Sequence, residues 1–366
     1  MQRNYLQGDI LIMAYTTINK PSLHFNTKTY TGNGGTQSIT GVGFQPDFCW
    51  NKNRSVATSH QLFDAVRGAT KRIYSDSTAS EDTNTNSLTS FDSDGFSVGS
   101  GSSANGNGNN IVSWNWKANG QGSSNTDGSI NTTYTSVNTT AGFSISKYVG
   151  NDTAGATVGH GLGAVPKMII VKRISGSAQD WIVYHGANTS APETDYLQLN
   201  GTAATGDSSG VWNDTAPTSS VFSLGSASSV NGGGGSDSFI AYCFAEKTGY
   251  SKFGSYVGNG NTDGAFIYIG FKPAFFLLKR TDGAGDKWRL WDNERSPFNV
   301  VDDSLAPNES SAEYDDVSVS LDFLSNGCKM RMSGGGAGNG SGETYIYMAF
   351  AEAPLVGTNN VPCTAR

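Results

Sequence analysis

Apolar and polar positions alternate with a period of two along most of this chain. The stretches "IVSWNWK" (111–117), "FIAYCFAE" (239–246) and "YIYMAFAE" (345–352) are the clearest cases. Successive side chains of a strand point to opposite faces, so this period predicts strands. A glycine-rich run precedes each stretch: "GSGSSANGNGNN", "NGGGGSD" and "SGGGAGNGSGE". Such runs predict hairpin turns, because Gly and Asn tolerate the positive φ that tight turns require. Sustained apolar spacing of 3.6 residues is almost absent, so long helices are not expected.

The strand pattern repeats. Tyr30, Tyr148 and Tyr256 each open a Tyr-x-Gly-Asn turn, and Pro46, Pro166 and Pro273 follow them by 16 to 18 residues. An apolar strand follows each proline, and a lysine (Lys52, Lys172, Lys279) stands six residues after it. Next come "SHQLFDAVRG", "QDWIVYHGAN" and "DKWRLWDNER", which align Phe63, Tyr184 and Trp291 at one position and Leu62, Val183 and Leu290 beside them. Period two puts those two sets on opposite faces of one strand. Landmarks recurring in one order about every 110 residues mark three homologous modules.

Each module is long enough to bury its own core, and the expected solution is a two-layer antiparallel sandwich. A propeller needs more and shorter blades. The fold class predicted is therefore all-β, with three tandem antiparallel β-sandwich modules of jelly-roll or lectin-like type. The expected layout is an N-terminal arm (1–22), module 1 (23–120), a linker (121–141), module 2 (142–248), module 3 (249–355) and a tail (356–366). Modules 2 and 3 abut at "AEKTGYSKF" and are expected to form a rigid pair. Module 1 is expected to sit apart, behind a polar linker that holds an extra hairpin or acts as a spacer.

Composition narrows the picture. Of 366 residues 47 are glycine, 15% are charged and 11% are aromatic, which supplies core material for a turn-rich β protein. The net charge of −7 without a basic patch argues against nucleic acid as a partner. No apolar run reaches the 18 residues that suggest a spanning helix, so membrane insertion is not expected. The opening "MQRNYLQGDILIMAYTTINK" has too short an apolar stretch for a secretory signal, and Met13 is a plausible alternative start. Cys49, Cys243, Cys328 and Cys363 form no CxxC pair, so no zinc site or disulfide network is expected, and Cys49 and Cys243 read as small core residues.

Candidate chemistry is sparse. His24, His60, His160 and His185 do not recur at matching repeat positions, and no GxSxG elbow accompanies them. "FDSDGF" (Asp92, Asp94, Gly95) opens like a calcium loop but lacks the distal ligands, so a hairpin turn is the preferred reading. Asp64 and Arg67 in "FDAVRG", and Asp292 and Arg295 in "WDNERSPF", read as local pairs closing a turn. Trp114, Trp116, Trp181, Trp288 and Trp291 lie in alternating strands and are expected in cores. Trp212, in the polar loop "SSGVWNDTAP", is the one aromatic candidate for an exposed ligand contact. The glycine-rich hairpins lack a phosphate-loop context. No catalytic residue, metal or cofactor is expected.

The first module carries a resemblance. "GVGFQPDFCWNKNRS", "HQLFDAVRGATKRIYSD", "NSLTSFDSDGFSVGS" and "IVSWNWKANG", with "MAYTTINKP" before them, resemble a module of tail-fibre-like or virion structural proteins of tailed, mainly marine, bacteriophages. The match spans about residues 13 to 120, and modules 2 and 3 share only the weaker landmarks. The resemblance implies a non-enzymatic virion component built of lectin-like sandwiches. Within that class a tail fibre or receptor-binding adhesin touching host-surface glycan or protein is favoured. The alternative is a capsid decoration or head-fibre protein gripping the shell through its arm. Other virion proteins and a homotrimer are the expected partners, and no ligand set is carried over.

Overall fold

The computed structural model describes residues 15–356. Met13, the first twelve residues, Cys363 and nearly all of the tail lie outside them. The chain is all-β and forms three sandwich units in the order the repeat predicts. In the first unit, Phe25–Thr31, Asn110–Trp116, Phe48–Asn53 and Gln61–Asp64 lead a large sheet. Over it lies a small sheet of Gln37–Thr40, Gly95–Val98 and Leu88–Asp92. The second unit repeats this with Phe143–Val149, Ser238–Phe244, Met168–Arg173 and Ile182–His185 over Ala156–Gly159 and Val221–Leu224. The third has Ser251–Val257, Thr344–Pro354, Phe271–Arg280 and Arg289–Asp292 over Phe266–Tyr268, Gly327–Met330 and Leu321–Leu324.

The Tyr-x-Gly-Asn turns have one job in all three units. The Tyr30, Tyr148 and Tyr256 hydroxyls donate to the carbonyls of Ala104, Val230 and Gly338. The turn's Asn amide then donates to a buried side chain, Asn105, Asn231 or Asn339. A Cβ on Gly32, Gly150 or Gly258 would overlap a backbone carbonyl there, so only glycine allows the approach. Pro46 and Pro166 precede their strands, whereas Pro273 sits inside Phe271–Arg280 at an irregularity in the pairing with Thr344–Pro354. A strand accepts proline there because a bulge relieves it of donating to the ladder.

Period two resolves as expected: Phe63, Tyr184 and Trp291 enter the cores between the sheets of their own units. Leu62, Val183 and Leu290 point the other way, into one apolar core built by all three units. Trp50, Trp114 and Trp116 of the first unit meet Phe143, Tyr242 and Phe244 of the second and Phe275, Met348 and Phe350 of the third. Phe48 stacks on Tyr242 at 4.4 Å, and Phe25 on Phe350 at 5.0 Å. Each large sheet is therefore apolar on both faces. This corrects the expectation that module 1 sits apart from a 2–3 pair: the faces a free module would expose are shared. It also places the strand tryptophans in cores, Trp291 within its unit and Trp114, Trp116, Trp181 and Trp288 between units.

The units interlock cyclically. Lys172 of the second unit donates to Thr78 O of the first at 2.7 Å. Lys52 of the first reaches Ser310 O of the third at 3.3 Å, and Lys279 of the third reaches Thr202 O of the second at 3.4 Å. Indole donors follow the same order: Trp181 Nε1 to Tyr74 O at 2.8 Å and Trp288 Nε1 to Gln198 O at 2.9 Å. His60 holds the matching place, accepts from Trp50 Nε1 at 3.0 Å, and leans toward the Ala306 carbonyl without reaching good hydrogen-bond geometry. Backbone bonds from Glu81 to Ile174, Thr205 to Thr281 and Glu313 to Arg54 complete the ring. The linker is no free spacer, and its strand Tyr134–Asn138 forms the extra hairpin with Phe143–Val149. Its Ile130 amide bonds Thr157 O at 2.9 Å along the edge of Ala156–Gly159.

Candidate functional site

The polar residues singled out in the sequence assemble mainly into junctions. Asp64 Oδ2 accepts from Arg67 Nε at 2.5 Å, the turn pair expected, but also from the Tyr242 hydroxyl of the second unit at 2.7 Å. Asp292 Oδ2 matches it, accepting from Arg295 Nε at 2.6 Å and from Trp114 Nε1 of the first unit at 2.9 Å. Each arginine continues to a glutamate, Arg67 to Glu81 at 3.3 Å and Arg295 to Glu313 at 2.7 Å. At the third junction, His185 Nε2 donates to Tyr347 O at 3.0 Å, and Thr205 donates to Asn188 at 2.9 Å. Burial opposes the guanidinium charge of Arg295, but Asp292 and Glu313 outweigh it and hold its pKa above the usual value. Burial lowers the His185 pKa to about 4, so the ring is neutral at pH 7. These are paired, water-excluded groups whose evident work is to join units.

Lys52, Lys172 and Lys279 are buried against backbone carbonyls, and desolvation brings each pKa down to about 8. A depressed lysine can serve as a nucleophile. Here each ammonium is already engaged by two or more carbonyl oxygens. The calcium-like stretch is a hairpin turn: Asp94 caps the amides of Gly41 and Gly43 at 3.0 and 2.7 Å. Among the described residues no group of His, Cys, Asp and Glu is placed to hold a metal ion. Cys49, Cys243 and Cys328 are free and buried.

Trp212 does not project into solvent. It is only 2% exposed, packs in the second unit's core and meets the Tyr184 ring edge-on at 6.0 Å. The polar neighbourhood misleads because Ser209–Trp212 is a helical turn, capped by Ser208, that rolls Val211 and Trp212 inward. The residues expected to form an N-terminal arm pack on their own chain from Tyr15 on. Tyr15 donates to Gly270 O at 3.2 Å, and Ile18 enters the shared core.

The surface breaks its threefold regularity in the third unit. Among the described residues the large, strongly exposed aromatic side chains are Phe298 (82%), Tyr268 (60%) and Phe266 (48%), all of them there. Phe298 crowns a loop pinned on both flanks. Ser296 donates to Asp303 at 3.0 Å, while Asn299 donates to Phe323 O at 3.0 Å and accepts from Phe323 N at 2.9 Å. The ring borders a cleft of about 220 Å³ with Lys272, Asn293, Ser296, Pro297 and Asn299. Along its rim Lys272 pairs with Glu352 at 2.8 Å, and Asn293 donates to the same carboxylate at 3.0 Å. The signal legible in sequence was "ERSPFN", a Pro-Phe in a polar loop with no counterpart in "AVRGAT" or "HGANTS".

The chain belongs to the family described as Domain of unknown function (DUF7483), which matches residues 20–354. That match runs through all three units and the linker as one block. No curated protein and no solved structure matches the chain.

Proposed function

We propose that this is a non-enzymatic virion structural protein of a tailed bacteriophage, acting as a tail fibre or receptor-binding adhesin that presents its third unit to the host surface. The observation that carries the reading is the contrast between a body locked by buried cross-unit bonds and a single pinned loop holding Phe298 almost fully in water. A ring on a loop whose flanks are already fixed leaves little backbone entropy to lose on binding, and aromatic anchors dominate contact energies. The cleft beside it offers an ion pair and an amide to hydroxyl or peptide groups of a receptor. The resemblance of the first unit supports the phage assignment.

Two measurements test this. Electron microscopy of the particle with a label on this chain should put density at the tail; density at capsomers would favour a capsid decoration protein instead. Purified protein should compete with phage adsorption to host cells, and Phe298→Ser should weaken that competition about tenfold, the cost of losing a modest anchor. Undiminished competition by the variant would remove the Phe298 loop from the contact.

A further inference from the structure

We propose that the free edge of the Phe266–Tyr268 strand is an acceptor for one more strand, supplied by residues 1–14 of this chain. The register leaves that edge open. Ile267 pairs with Cys328, Ala265 accepts from Met330, and Ile269 donates to Asn326, so alternate residues face the sheet. By the antiparallel pattern the amides and carbonyls of Phe266 and Tyr268 point outward, and no described residue bonds them. An unpaired edge carrying two exposed rings is a template for another strand.

The second unit shows the occupied version of the same place. Val158 corresponds to Ile267, and Thr157 to Phe266. There the linker fills the edge: Ile130 N bonds Thr157 O at 2.9 Å, and Thr157 N bonds Ser129 Oγ at 2.9 Å. The bridge between Ile130 and Val158 is parallel, and Ile130 is buried. The first unit shows the solvated version, with Ser38 and Thr40 where the third has Phe266 and Tyr268. Only the third unit combines an open edge with apolar rings.

The occupant follows from where the chain arrives. Tyr15 bonds Gly270 O at 3.2 Å and lies against Tyr268, at the C-terminal end of this strand. Residues running back from Tyr15 along the edge would lie parallel to Phe266–Tyr268, the direction the linker takes in the second unit. The sequence there, "GDILIMA", has the apolar, β-branched character of a strand.

Amide hydrogen exchange on the intact chain tests this, with the Thr157 amide as internal reference. The Phe266 and Tyr268 amides should exchange at least about tenfold more slowly than unprotected amides. Deleting residues 2–13, or the substitution Ile12→Pro, should abolish that protection and leave Thr157 unchanged, with the protein monomeric throughout. Free exchange of these amides in the full chain would overturn the proposal. So would protection that survives the deletion, or that appears only as chains associate, which would assign the edge to a second copy.

Discussion

At the scale of single residues, the buried lysines set the alkaline behaviour. Lys52, Lys172 and Lys279 have folded pKa values of about 8, below the usual 10.5, because burial disfavours their charge. Between those values the unfolded chain holds more protons than the folded one, so stability rises with pH from about 8 to 10. Denaturant midpoints across this range should climb, and Lys172→Met should reduce the climb by about a third, since one of three equivalent contributors is gone. A flat profile in the parent protein would refute the burial argument. The acid side runs through His185, whose folded pKa of about 4 lies below the usual 6.5. A depressed histidine stabilises the fold above pH 6.5, and that contribution is lost as pH falls toward 4. Burial also lowers the pKa values of His24, His60 and His160, so all four histidines share this limb. His185→Gln keeps a donor for Tyr347 O but does not titrate. It should therefore show a shallower loss of stability between pH 6.5 and 4 than the parent.

At the scale of elements, the turns are held by an asparagine that sequence reading passed over. Asn231, itself fully buried, donates to Gly225 O at 2.8 Å and Thr153 O at 3.0 Å, and accepts from Asn151 N at 2.9 Å. Asn231→Ala would strand three backbone groups, at a cost of about 3 kcal/mol or more. A calorimetric midpoint unchanged by this substitution would show that the turn does not need it. The signal was present, since Asn-Gly recurs at 105–106, 231–232 and 339–340, each inside a glycine-rich run that hides it. What local pattern controls was legible: the strands, the repeat, and the facing of Phe63 against Leu62. What depends on distant partners was not. "FCWNKN" is apolar through to Trp50, which signals a strand buried on both faces. Nothing local says that the second face meets two other units. The same holds for Lys52, which alternation assigns to a strand end and tertiary structure closes off, and for Trp212, turned inward by one helical turn.

At the scale of the whole molecule, the shared core makes the three units one thermodynamic object. A unit alone would expose the face that carries Trp50, Trp114 and Trp116, or its counterpart, together with half of each junction. Exposed apolar surface of that extent drives association. The expected consequence is cooperativity: intact chain should melt in a single calorimetric transition, with van't Hoff and calorimetric enthalpies in agreement. A fragment of residues 15–133 should be aggregated or lack fixed tertiary packing. One substitution ties this to a junction. Asp292→Asn keeps the shape but removes the charge that Arg295 and Trp114 share. It leaves a buried guanidinium with a weaker partner, a loss of about 3 kcal/mol. If the core couples the units, that loss lowers the one transition as a whole. If the units are independent, the third melts early while the second, which has no contact with Asp292, keeps its parent midpoint. Two resolved transitions in the variant would mean that the central core is an assembly of neighbours and not a common fold.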